Sequence, residues 1–163
     1  VDMKTDIEFS TLGGERLALQ LIKPMWQSGG KGFPLVVFIQ GSAWTKPNQF
    51  WELPQLALLA AKGFVIASVT HRACWTAAAP AFLKDVKTAV RFLRSHAAEY
   101  DIDKSRACAF GTSSGGNTAL LVGLTGDDLV AVGERVAALG ELTGRTVRSD
   151  VTDRIFSRFC VGK

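Results

Sequence analysis

The segment "AFGTSSGGNTALL" at residues 109–121 sets a serine in a glycine-rich turn and decides how the rest of the chain is interpreted. Ser113 has a glycine two positions away on either side. The apolar run 106–111 before it predicts a buried strand, and 117–124 after it predicts a helix. Because glycine lacks a Cβ atom, neighbouring backbone can approach a strained turn closely. The pattern predicts a sharp strand-to-helix turn that exposes Ser113 at the C-terminal edge of a sheet.

Two interpretations of Ser113 follow from this turn. As a nucleophile, the serine points outward, and the amide of Ser114 at a helix N-terminus lies beside any oxyanion that forms. The alternative is a phosphate-binding or purely structural turn. No G-x-G-x-x-G follows the first strand and no G-K-[ST] occurs, so a nucleotide site is disfavoured. We therefore interpret Ser113 as a candidate nucleophile.

Strand and helix patterns alternate upstream of this turn. The segments 6–11 and 16–22 carry apolar residues at every second position, which predicts an antiparallel hairpin. Further buried strands are expected at 34–41, 64–70 and 106–111. Helices are expected at 53–63, with Gly63 as C-cap, from Pro80 to about Tyr100, and from Asn117 to Leu124. This order predicts an α/β fold with a mostly parallel sheet, an N-terminal antiparallel hairpin and helices on both faces.

Composition narrows the class of protein. The 163 residues suit one domain, with 47% hydrophobic and 21% charged residues. The net charge of +4 is scattered along the chain, so we expect no nucleic-acid partner. Three cysteines without a C-x-x-C pair argue against a disulfide framework and against a zinc site. Cys108 lies in an apolar run and is expected to be buried.

Membrane spans and signal peptides both require a continuous apolar run. No eighteen consecutive residues are apolar, so no membrane span and no membrane partner are predicted. The chain starts Val1-Asp2-Met3, without the basic and apolar regions of a signal peptide, so none is expected in it. Cytoplasmic and secreted locations both stay open.

A second candidate element is "FIQGSAW" at 38–44, directly after an earlier predicted strand. Gly41 and Ser42 are small, so their amides can approach a substrate carbonyl, and Trp44 can form a wall for an acyl group. The alternative is an ordinary turn at the end of a strand. Two such elements in this order favour the catalytic interpretation.

With these motifs in place, the chain from about residue 6 to Asp128 resembles α/β-hydrolases of the esterase and lipase type. It is most similar to the branch of carbohydrate-ester and feruloyl-type esterases. "PLVVFIQGSAW" resembles the oxyanion strand and loop of that branch, usually HGGGW-like, and "GTSSGGNTALL" resembles its nucleophile turn. The sequence departs from HGGGW at Gln40, Ser42 and Ala43.

The resemblance implies a function and its residues. Ser113 would be the nucleophile of a serine carboxylic-ester hydrolase, and the amides of Ser114 and of Gly41 or Ser42 would form the oxyanion hole. No metal and no organic cofactor is implied. The substrate would be a small-molecule or carbohydrate-linked ester, and the oligomeric state stays open.

The general base is not evident in the sequence. The only histidines, His71 and His96, both precede Ser113, whereas the family order is serine, acid, histidine. We expect His96 on the surface of a helix and His71 in a structural hydrogen bond. Asp150 and Asp153 have no histidine after them and are not assigned. We therefore expect weak hydrolysis by this chain alone.

Residues 129–163 no longer resemble the family. Helical spacing of apolar residues predicts a divergent helical tail, and residues 1–128 are expected to be the N-terminal part of a hydrolase domain without its C-terminal strands. Premature termination, a reading-frame change or a divergent helical cap all fit this tail. Two rival interpretations remain: a non-catalytic binding or assembly protein on the same scaffold, and a second chain that supplies the missing strands and base.

Overall fold

The computed structural model describes residues 1–125, which contain one five-stranded sheet. The strands are β1 (Asp2–Leu12), β2 (Glu15–Lys23), β3 (Phe33–Ile39), β4 (Val65–Val69) and β5 (Ile102–Gly111). Their order across the sheet is β1-β2-β4-β3-β5. The strands therefore lie where alternation and β-branched runs predict them, and β1, β2 and β5 are longer than expected.

The strand pairings make the sheet mixed. β1 pairs with β2 and β2 with β4 in antiparallel fashion, whereas β3 pairs in parallel with both β4 and β5. Ile39 at the end of β3 faces Gly111 at the end of β5. The carboxyl ends of these two strands consequently meet at one edge, where the loops that follow them can touch.

Four helices accompany the sheet within this part of the chain: α1 (Leu53–Ala60), α2 (Ala81–Ser95), α3 (Ala97–Tyr100) and α4 (Ser114–Leu124). Three helix boundaries differ from expectation, one of them the start of α4, which begins at Ser114 and not at Asn117. α1 ends at Ala60, and Gly63 lies beyond it with φ +96°, in the turn that leads into β4. The long helix expected up to Tyr100 is divided at His96, which has φ −99° and ψ 19°.

Side chains of the central strands alternate between two apolar layers. Leu35, Val37 and Ile39 join a core with α2, α3 and α4, while Val36 and Phe38 join a second core with α1. A strand buried on both faces explains why β3 is apolar at consecutive positions. The expected α/β fold with helices on both faces is confirmed.

The burial predicted for β5 is wrong. Cys108 is exposed, and half of the Phe110 side-chain surface reaches solvent. β5 is an edge strand of the described sheet and pairs only with β3 there, so an apolar run did not imply burial. The structure of residues 129–163 lies outside the described residues. Among residues 1–125, no helix has the length and apolar character needed to cross a membrane.

Candidate active site

Ser113 lies between β5 and α4, as the sequence predicts. Its backbone has φ 50° and ψ −125°, a combination that serine rarely adopts. Its side chain is exposed and makes no hydrogen bond within the part of the chain that is described. Strain of this kind is concentrated at functional sites, where the surrounding structure maintains it.

Glycines allow three segments to meet around Ser113. A Cβ atom added at Gly115 would lie 2.1 Å from the carbonyl oxygen of Ile39. One added at Gly41 would lie 2.5 Å from the carbonyl oxygen of Thr112 and 2.9 Å from the Cβ of Ser113. The end of β3, the residues after it and the Ser113 turn are therefore in direct backbone contact.

Loop 40–45, which follows β3, is tied to the Ser113 turn by hydrogen bonds. The amide of Gly41 donates to Thr112 Oγ1 over 2.9 Å, and the amide of Ser42 donates to Ser114 Oγ over 3.0 Å. The Ser114 amide, at the N-terminus of α4, has no acceptor among residues 1–125. The structure thus brings the three predicted amide donors to one turn, and of these three only the Ser114 amide lacks an acceptor in the described part of the chain.

The hydroxyls of Thr112 and Ser114 are partners that sequence reasoning missed. Their presence on either side of Ser113 is visible in "GTSSGG". Their acceptor role depends on a loop about seventy residues earlier in the chain, as the separations of 71 and 72 residues show.

An aromatic contact borders this site. The ring centroids of Trp44 and Phe82 are 6.3 Å apart, and those of Phe82 and His71 are 6.1 Å apart. The amide of Cys74 donates to the carbonyl of Trp44 over 2.9 Å, which connects loop 40–45 to the segment after β4. Trp44 keeps 38% of its surface exposed, so part of this residue reaches solvent beside the Ser113 turn.

Neither histidine is hydrogen-bonded to Ser113. His71 is 1% exposed, and its Nδ1 lies 2.8 Å from the carbonyl oxygen of Arg72, so this nitrogen donates to the backbone. His96 Nδ1 lies 2.9 Å from the carbonyl oxygen of Phe92. His71 thus makes the structural hydrogen bond that the sequence analysis expects.

Burial lowers the pKa of His71 and outweighs the raising effects of the Arg72 carbonyl, Asp85 and Glu15. The folded protein then binds a proton less readily than the unfolded chain, whose histidines titrate near about pH 6.5. We expect the free energy of unfolding to fall as the pH drops below that value, by at most about 1.4 kcal/mol per pH unit. Urea denaturation between pH 8 and pH 5 measures this decline. In His71→Gln, the free energy of unfolding should fall less over this pH range. An equal fall in the variant would show that His71 is not its cause.

The strand order, the strand-to-helix serine turn and the loop beside it define an α/β-hydrolase fold of the esterase type. The chain belongs to the BD-FAE family, whose model matches residues 19–142. That range begins later than the expected resemblance and extends past Asp128.

Individual relatives agree with this family. The esterase LipC of Mycobacterium tuberculosis is 31% identical over 99 residues, covering 60% of this chain and 25% of LipC. The solved thermophilic esterase Est2 of Thermogutta terrifontis superposes with a TM-score of 0.68 at 25% identity, covering 77% of this chain and 45% of that one. A truncated carbohydrate esterase from gut microbiota superposes with a TM-score of 0.62 at 30% identity, covering 77% of this chain and 44% of that one. The chain spans a quarter of LipC and less than half of each solved esterase.

A different protein matches a short segment of the chain. The tRNA modification GTPase MnmE of Symbiobacterium thermophilum is 58% identical over 40 residues, which are 23% of this chain and 9% of that protein. A match of this extent assigns no GTPase function to the chain.

Proposed function

We propose that this chain is a carboxylic-ester hydrolase and that Ser113 is its nucleophile. The observation that carries the proposal is the Ser113 turn, which holds an exposed hydroxyl, without a hydrogen bond to any of residues 1–125, on a positive-φ backbone at the N-terminus of α4. The esterase family and fold support the reaction class. Strained backbone at a helix N-terminus serves both the approach of the nucleophile and the stabilisation of negative charge.

The proposed reaction is acyl transfer in two steps. Ser113 Oγ attacks the ester carbonyl carbon and gives its proton to solvent water, and the carbonyl oxygen becomes an oxyanion. The carbonyl then re-forms as the bond between this carbon and the alcohol oxygen breaks, and the alcohol leaves with a proton from solvent. Water attacks the acyl-enzyme in the same way, which releases the acid and returns the proton to Ser113 Oγ. No metal or organic cofactor takes part.

The amides of Ser114 and Gly41 are the proposed oxyanion donors. The Ser114 amide has no acceptor within residues 1–125, whereas the Gly41 amide donates to Thr112 Oγ1. A negatively charged oxygen is a stronger acceptor than a neutral hydroxyl, so the substrate can replace Thr112 at this amide. The Ser42 amide faces the buried side chain of Ser114 and is therefore the less suitable of the two loop amides.

Turnover by this chain is expected to be slow. Proton removal from serine by a positioned base contributes about 10²- to 10⁴-fold to such reactions. Both histidines use Nδ1 for a backbone carbonyl, that of Arg72 for His71 and that of Phe92 for His96, and no hydrogen bond joins either ring to Ser113 within residues 1–125. Positioned amides still stabilise the oxyanion without a base.

The proposed substrate is a small-molecule or carbohydrate-linked ester. One structural neighbour is a carbohydrate esterase, and the partly exposed indole of Trp44 beside the Ser113 turn can pack against an apolar acyl group or a sugar face.

Covalent labelling tests the nucleophile independently of slow turnover. The chain is incubated with an excess of a p-nitrophenyl phosphonate, and peptide mass mapping locates the adduct. We expect the adduct on Ser113, its loss in Ser113→Ala, and its retention in Ser105→Ala, which removes an exposed hydroxyl from β5, the strand before the Ser113 turn. The rate of p-nitrophenyl acetate hydrolysis should fall at least about tenfold in Ser113→Ala and stay unchanged in Ser105→Ala. Labelling at another residue, or equal labelling of Ser113→Ala, would refute the proposal.

A further inference from the structure

Loop 40–45 contains a strained turn beside the candidate nucleophile. The amide of Thr45 donates to the carbonyl of Ser42 over 2.9 Å, which closes a four-residue turn. Its two central residues, Ala43 and Trp44, have φ of 50° and 58°. Left-handed conformations at both central positions favour glycine or asparagine, and neither is present here. Interactions with residues outside the turn must therefore maintain the positive φ of Ala43 and Trp44.

The side chain of Ser114 supplies that support. Its Oγ accepts hydrogen bonds from the amide of Ser42 over 3.0 Å and from the amide of Trp44 over 3.3 Å. In many proteins, the backbone N–H groups of a tight turn point into a small concavity and bind an anion there. The amides of Ser42 and Trp44 converge on one oxygen in the same way. Here a hydroxyl from α4 occupies the concavity, and Ser114 is only 6% exposed.

We propose that the Ser114 side chain is a positioning residue for ester hydrolysis, one that holds loop 40–45 in its strained conformation against the nucleophile turn. This inference rests on the proposed function and deepens it. The Ser114 amide serves the oxyanion, while the Ser114 hydroxyl holds the amides of Ser42 and Trp44. Gly41 is then the loop donor, because its own partner, Thr112, is exposed and replaceable.

The position of Trp44 depends on the same hydroxyl. The Trp44 amide donates to Ser114 Oγ, its carbonyl accepts from the Cys74 amide, and its ring contacts Phe82. Without the Ser114 acceptor, the left-handed residues can relax toward ordinary backbone conformations. The Gly41 amide and the Trp44 indole would then lose their placement relative to Ser113.

Amide hydrogen exchange tests the contact directly. In Ser114→Ala, we expect exchange at the amides of Ser42 and Trp44 to accelerate about tenfold, as for loss of one ordinary hydrogen bond. Ser114→Cys keeps a similar volume but offers a weak acceptor, so it should behave like the alanine variant. Ser114→Thr keeps the hydroxyl and should restore protection. Ser105→Ala is the matched control, and unchanged exchange in Ser114→Ala and Ser114→Cys would overturn the inference.

Steady-state kinetics with p-nitrophenyl acetate tests the positioning role. An oxyanion donor acts in the transition state, so Ser114→Ala should lower kcat about ten- to a hundredfold with little change in KM. Ser114→Thr should recover most of that loss. Loss confined to KM, or a threonine variant as impaired as the alanine variant, would overturn the role. Ser114→Ala could accelerate amide exchange at Ser42 and Trp44 while Ser113→Ala keeps full activity. That result would refute the proposed function and leave the contact between Ser114 and loop 40–45 supported.

Discussion

Gly115→Ala is expected to destabilise the protein by about 3 kcal/mol or more, because the added methyl group has no space. It would lie 2.1 Å from the carbonyl oxygen of Ile39 and 2.8 Å from that of Gln40, and both obstacles are backbone atoms. A side chain can rotate away from such a clash, whereas these atoms move only if α4 separates from the end of β3. Urea denaturation followed by circular dichroism measures the loss.

Gly116→Ala is the matched control for this variant. Gly116 lies in the same helix as Gly115, and the nearest atom to a Cβ added there would be the carbonyl oxygen of Gly111, at 3.1 Å. Alanine also favours the helix over glycine by up to about 1 kcal/mol, which offsets this contact. We expect the control to stay within about 1 kcal/mol of the original protein. Equal stability of Gly115→Ala and the original protein would show that α4 does not pack closely against β3.

Asp85→Ala is expected to cost about 3 kcal/mol of stability, because it breaks a buried ion pair. Asp85 has no exposed surface and accepts from the Arg72 amide over 2.9 Å, from Arg72 Nε over 3.0 Å and from Arg72 Nη2 over 2.8 Å. Removing the carboxylate leaves a guanidinium and a backbone amide without their acceptor. We place the cost at the lower end of the range for buried pairs, since 20% of the Arg72 side chain reaches solvent.

Thermal and urea denaturation measure this cost against a surface pair. Glu99→Ala removes the partner of Lys4, and both side chains of that pair are about half exposed at 53% and 44%. Exposed pairs contribute at most about 1 kcal/mol, so the control should change stability little. The double variant Arg72→Met with Asp85→Leu should recover part of the loss, because no unpaired charge then remains buried. Similar losses in Asp85→Ala and Glu99→Ala would contradict this account.

The sequence by itself predicts the elements that depend on local periodicity and on glycine. Alternating apolar residues place the β1–β2 hairpin, and the consecutive apolar run of β3 indicates a strand covered on both faces. The glycines around Ser113 predict its strand-to-helix turn, because only residues without a Cβ atom allow the contacts that occur there. These features depend on neighbours along the chain.

Tertiary structure alone decided the features that depend on distant partners. An apolar composition could not show that β5 lies at an edge of the described sheet with Cys108 exposed, because burial depends on what packs against a strand. The hydroxyls of Thr112 and Ser114 became acceptors for loop 40–45 only when parallel pairing brought the ends of β3 and β5 together. Hydrogen bonds between segments some seventy residues apart leave no local pattern, so the sequence indicates the Ser113 turn and only the fold reveals what holds loop 40–45 against it.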